Sequence, residues 1–279
     1  MERDLREIFG TVSVSLVAFL SIANAQNPVI AHQQTLKSNT HNFVMTGWTQ
    51  EERLLSSAMS LRARKLEQKT SFRFDKNWVP KVSLEWSLGK SKNGSNGIYK
   101  AETQTVYFPI RILYELRARH KHSADSLSAE AAAEDNEFAE MLDHELGHEL
   151  MDQVSRRNGL GPWFTEKRFN ASTDAERLGL DILSEGTAQF FQRVNFPRDD
   201  RDLSELTFPA TAEQQEYYTY KMIAYDGGYW IVRDVLNTHG DRGLIWLIRH
   251  PFVTAYDMRA AAAAYRERAL KDLSEDRGP

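Results

Sequence analysis

Between Phe138 and Val154 the chain reads FAEMLDHELGHELMDQV. His144 and His148 are four residues apart, so on a helix their rings stand one turn above the other on a single side. Glu145 follows the first histidine and points about a quarter-turn away. Two imidazoles at this spacing can converge on one zinc ion at roughly 2.0–2.1 Å, and a glutamate off their stripe can reach a water on that ion without taking a coordination site. Phe138, Leu142, Leu146, Leu150 and Val154 recur every four residues and supply the apolar face that such a helix buries. The alternative is two histidines and a glutamate that are chance neighbours on a wet helix.

A third ligand separates the two readings. Asp174 to Val194, DAERLGLDILSEGTAQFFQRV, predicts a second helix with Leu178, Ile182, Gln189 and Phe190 on one side and Leu183 and Phe191 widening it. Glu185 sits in its middle, followed by Gly186, Thr187 and Ala188. Gly186 costs about 1 kcal/mol of helix propensity relative to alanine, and close approach to another metal-bearing helix is a reasonable compensation. Glu185 is therefore the expected third ligand, with Glu176 as the competing candidate and Asp181 as the weaker one. Glu176 lies near the helix start, where an acidic residue is favoured by the helix dipole alone.

These residues together resemble the gluzincin zinc metallopeptidases, the zincin group whose third ligand is a glutamate. H-E-L-G-H is followed by S-E-G-T-A, similar to the N-E-G-x-A of the aminopeptidase-type members, with Ser184 where asparagine is usual. Tyr225-Asp-Gly-Gly228 resembles the Y-x-x-G that follows, and the resemblance implies that Tyr225 steadies the oxyanion of the tetrahedral intermediate; Tyr229 is the alternative. The likeness runs from about Leu142 into the C-terminal region and leaves the first half unassigned. It implies an α+β, zincin-like fold: a small mixed sheet packed on the histidine helix, followed by a mainly helical C-terminal half. Two departures limit it. The thermolysin-type branch carries an aspartate four residues after the glutamate ligand, where this chain has Gln189. The substrate-recognition domains of true aminopeptidases and a G-x-M-E-N segment are absent from the sequence, which weakens any claim on free amino termini.

The elements that must position these residues can be sketched from pattern. Residues 1–25 resemble a secretory signal, with an apolar run from Val12 to Ile22 and Ala23-Asn24-Ala25 as a small-x-small cleavage site; an uncleaved membrane anchor is the alternative. Residues 26–47 read as a polar arm, and 48–275 as one zincin-like catalytic domain, with helix and sheet over 48–137 and helices over 138–275. Within it, Thr49–Gln68 predicts a helix capped by Thr49. Ser71–Phe74, Lys81–Leu88 and Ile98–Ile110 predict strands, with Gly89–Gly97 as a loop between the last two. Thr103–Phe108 is the candidate edge strand that would pair with extended substrate, an ordinary core strand being the alternative. Ile110–His120 turns helical, and His120 and His122 read as part of a solvated charge run, with a second metal site as the alternative. Ser123–Asn136 leads into the histidine helix. The connection from Arg156 to Thr173 carries Trp163, Phe164 and Phe169, which either wall a substrate pocket or cover core. Glu213–Thr238 is expected to be a third long helix ended by Gly240, and Thr254–Leu273 a last one.

Composition bounds the rest. The formal charge is −4 over 279 residues, with no basic patch suited to nucleic acid. There is no cysteine, which removes a thiol nucleophile and thiolate metal ligation, and a core of this size can be stable without disulfides. The expected protein is thus an exported zinc metallopeptidase, secreted or periplasmic and of bacterial type. It carries one Zn2+ on His144, His148 and Glu185, and Glu145 is its general base on peptide or protein substrates. Membrane association is expected only if the N-terminal segment is uncleaved. The competing readings are a zinc hydrolase of a non-peptide amide, an inactive zincin-fold binding or maturation module, and a metal-free structural protein. Cleavage specificity and oligomeric state are not legible.

Overall fold

The structure is a computed structural model and describes residues 50–85, 97–120, 127–162, 170–198, 222–254 and 258–275. The chain divides into two units, Met1–Glu51 and Glu52–Pro279, and all packing discussed here lies within the second. The expected signal segment, the polar arm, His122, Trp163, Phe164, Phe169 and residues 213–221 of the expected third helix lie outside the described residues.

In chain order the described elements are α1 (residues 50–69), β1 (Lys81–Glu85), β2 (Ile98–Lys100), β3 (Thr105–Pro109), α2 (Arg111–His120), α3 (Ala129–Glu134), α4 (Asn136–Arg157) and α5 (Asp174–Asn195). A π-helical turn (Met222–Gly227) then runs into α6 (Gly228–Arg249), and α7 (Met258–Glu275) follows. Among the described residues the arrangement is α+β, mostly helical with one small mixed sheet. β1 pairs parallel with β3, and β2 pairs antiparallel with it, giving the order β1-β3-β2.

The apolar stripe of α4 is the centre of the core: Phe138, Leu142, Leu146, Leu150 and Val154 are all buried. Phe108 of β3 meets Phe138 edge-on at 5.5 Å, which seats the sheet on the start of this helix. On its other side α4 packs along α5, and α5 along α6. The helix ends are set by short-range chemistry. Asp135 caps α4 by accepting from the Phe138 N–H, and Arg119 grips the same carboxylate through two hydrogen bonds. Thr173 and Glu176 form a reciprocal capping box at the start of α5.

Several sequence expectations are corrected. Ser71–Phe74 is not a strand: the backbone N–H groups of Phe74 and Asp75 are taken by the side chains of Glu67 and Gln153, and Phe72 is buried against Phe190 and Phe191. Ile98–Ile110 is two strands, because residues 101–104 turn with Gln104 at a φ of 49°. Thr103–Phe108 is not an edge, since β3 has a partner on either side, and among the described residues the outer strands are β1 and β2. Gly240 does not end the third helix. It bends it at a φ of 52°, and the helix resumes to Arg249, absorbing Leu244–Ile248. A β-carbon at Gly240 would fall 2.6 Å from the Ser71 hydroxyl, so the bend and the segment that follows α1 both require glycine there.

Candidate metal centre

The histidine rings leave α4 on the side facing α5, and Glu185 leaves α5 toward them. Glu185 Oε2 lies 3.2 Å from His144 Nε2 and 3.8 Å from His148 Nε2. Four ligands placed tetrahedrally at 2.0–2.1 Å from zinc would stand about 3.3 Å apart, so these separations suit three ligands of one ion. Among the described residues, this is the group whose donor atoms come together closely enough to hold a metal. The three side chains are 13%, 15% and 19% exposed, enough for one face of the cluster to meet a substrate.

The helices reach this spacing because they touch backbone to backbone. A β-carbon at Gly147, between the two histidines, would fall 2.6 Å from the Ala188 Cα of α5. At Gly186 it would fall 2.2 Å from the backbone of Gly228, where the π-turn passes into α6. The small residues around Glu185 thus admit two neighbouring helices at once.

Each ring is also held from behind. Nδ1 of His144 lies 3.2 Å from Gln192 Oε1, and Nδ1 of His148 lies 3.1 Å from the Ser184 hydroxyl. With Nδ1 engaged on the outer side, both Nε2 atoms face inward. Tyr225 stacks flat on His144 at 5.5 Å and 6°, and its hydroxyl interacts with Glu185. Tyr229 lies a turn further on, beneath the Arg193 guanidinium at 4.0 Å. Arg193 also pairs with Asp226, which joins the π-turn to α5. Glu145 stands over β2, its carboxylate accepting from the Tyr99 backbone N–H.

The electrostatics follow from this crowding. Burial pushes the Glu145 carboxyl up to about 7; His144 opposes the shift and Glu185 adds to it. Burial pushes His148 down to about 4, keeping its ring neutral and able to donate a lone pair to a metal. Burial alone would raise Glu185, but the His144 and His148 rings bring it down to about 2, fixing it as a carboxylate. Burial likewise opposes protonation of His144, yet contact with Glu185 outweighs it and raises its pKa.

Two buried carboxylate oxygens at this centre, Glu145 Oε2 and Glu185 Oε2, have no well-aligned hydrogen-bond partner. An unpaired buried carboxylate oxygen is costly, and a cation on Glu185 with a water toward Glu145 would satisfy both. Two imidazole nitrogens and one carboxylate oxygen also form a donor set suited to zinc. The residues present therefore fit a single metal ion.

The alternative ligands are placed elsewhere. Glu176 is half-buried and its carboxylate is occupied by the backbone N–H groups of Ser172 and Thr173. Asp181 is buried one turn before Glu185 and does not join the cluster. His120 pairs with Asp135 at 3.3 Å rather than with a second metal group. Sequence reasoning missed Gln192, Glu140 and Asp143. Asp143 precedes His144 and is fully buried in a pair with Arg62 of α1, with Asn195 also donating to it. Gln192 was visible only as a polar residue two turns beyond Glu185 on the same face. No described helix is long and apolar enough to cross a membrane. No protein-family model, curated protein or solved structure matches this chain.

Proposed function

We propose that this chain is a zinc-dependent metallopeptidase with a zincin-like fold of the gluzincin kind, exported from the cell by the segment ending near Ala25. The observation that carries the reading is the convergence of His144, His148 and Glu185 with Glu145 beside them. His144 Nε2, His148 Nε2 and Glu185 would hold the ion. When bound, zinc supplies Lewis acidity that makes water a nucleophile and polarises a carbonyl. Glu145, buried and with its pKa near neutrality, takes the proton from the attacking water and later delivers it to the leaving amine. Tyr225, held against His144, presents its phenol to the developing oxyanion.

The test is metal content of the purified protein beside His148→Ala and Glu185→Ala. One equivalent of zinc in the parent, reduced in both variants, is the expected result, and it would be followed by a peptide-library cleavage screen. Zinc lost only with His148→Ala would remove Glu185 from the ligand set. Absence of metal in every sample, even with zinc supplied, would end the enzyme reading. Zinc without cleavage of any peptide would favour a binding module or a hydrolase of other amides.

A further inference from the structure

Behind His144 lies a chain of polar side chains that belongs to neither the ligand set nor the acid–base pair. Gln192 Nε2 contacts Glu140 Oε1 at 2.5 Å, and Glu140 is ion-paired with Arg198. A carboxylate only accepts hydrogen bonds, so the amide nitrogen must face Glu140 and the amide oxygen must face inward. There Gln192 Oε1 lies 2.6 Å from Gln189 Nε2 and 3.2 Å from His144 Nδ1. Gln189 Nε2 is itself 3.3 Å from Nδ1, but its much shorter bond goes to Gln192 Oε1, which accepts from both neighbours. A carbonyl oxygen accepts only, so the proton of a neutral His144 ring belongs on Nδ1. Its lone pair is then on Nε2, the atom that faces Glu185. Were the Gln192 amide reversed, no acceptor would face Nδ1, and the N–H groups beside it would drive the ring proton onto Nε2, where it blocks a metal.

We infer that Gln192 is a positioning residue: it fixes the tautomer and orientation of His144, and Glu140 fixes the sense of the Gln192 amide. The inference rests on the metal-centre reading. His148 provides the contrast, because its Nδ1 meets the Ser184 hydroxyl, which can donate or accept and dictates no tautomer. The connections are short in sequence. Glu140 is one turn before His144 on α4, and Gln192 is two turns after Glu185 on α5, so two rigid helices carry both the ligands and the parts that orient them.

Two readouts test this: zinc affinity by competition with a chromophoric chelator, and exchange of the His144 Nδ1–H in nitrogen–proton NMR spectra of the zinc-loaded protein. Gln192→Leu removes the acceptor and should weaken zinc binding about 10- to 100-fold, with rapid exchange of that proton. Exchanging acid and amide, Gln192→Glu together with Glu140→Gln, keeps an acceptor over Nδ1 and should restore most of the affinity and the slow exchange. Parental affinity and exchange in folded Gln192→Leu would overturn the inference. So would a double exchange that binds no better than Gln192→Leu, since packing and not acceptance would then be the role. A parent that binds no zinc overturns the metal-centre reading itself, and that result is seen before any variant is compared.

Discussion

Glu145 lies within a side chain's reach of both the ligand cluster and the β2 backbone, and burial holds its carboxyl near neutrality. Glu145→Gln keeps the size and the acceptor for the Tyr99 N–H but cannot carry a proton. It should leave zinc content at the parental level and lower kcat on a cleaved peptide by between about a hundredfold and ten-thousandfold; full activity in clean protein would remove Glu145 from the mechanism. The histidines and Glu145 were legible in the sequence because the spacing that matters to them is internal to one helix. Glu185 was legible one step less directly, through the small residues beside it. Gln192 and Glu140 were not, because a glutamine two turns from a ligand gains meaning only when the opposite helix supplies a histidine and a carboxylate for its two ends. The resemblance drew attention to Gln189, and the structure shows it donating to Gln192 at 2.6 Å and lying 3.3 Å from His144 Nδ1.

At the scale of elements, the centre depends on how closely α5 approaches its neighbours. The Gly186–Gly228 contact leaves no room for a methyl group on either backbone. Gly186→Ala gains helix propensity but should still lower stability by about 3 kcal/mol, by forcing α5 from α6. Zinc affinity should fall with it, because Glu185 and Tyr225 sit on either side of that contact. Denaturant unfolding beside zinc titration checks both, and a stabilised variant with parental affinity would contradict the packing account. Helix existence was readable from apolar period and end chemistry, as Thr173 and Glu176 show at α5. Strand order was not, because nothing local to Thr105–Pro109 says that β1 adds to it in parallel. Gly240 misled for a related reason: a glycine in left-handed conformation reads as a helix end, while contact with Ser71 and the packing of Leu244 and Leu247 carry the helix on.

Across the whole molecule, α4 is tied to the chain before it through buried charge. Asp143 pairs with Arg62 of α1, and further along Glu149 accepts from Gln153 at 2.8 Å and interacts with Tyr99 of β2 and with Trp78, which lies between α1 and β1. Burial pushes Glu149 up to about 7. A carboxyl whose folded pKa exceeds its unfolded one favours the folded state below the unfolded value and loses that contribution as pH rises through the folded value. Metal-free protein should therefore lose up to about 3 kcal/mol from this group between pH 4.5 and 7. Glu149→Gln should flatten that part of the stability curve, measured by urea unfolding at several pH values; an unchanged slope would assign the effect to other groups. The ligand positions have one more implication. His148 and Glu185 are 37 positions apart (185 − 148) in a chain with no cysteine. An ion held between them closes a loop as a disulfide would, restricting the unfolded chain and bolting α4 to α5. Because such a staple would contain no sulfur, its strength would follow the supply of metal and ignore the redox state of the surroundings.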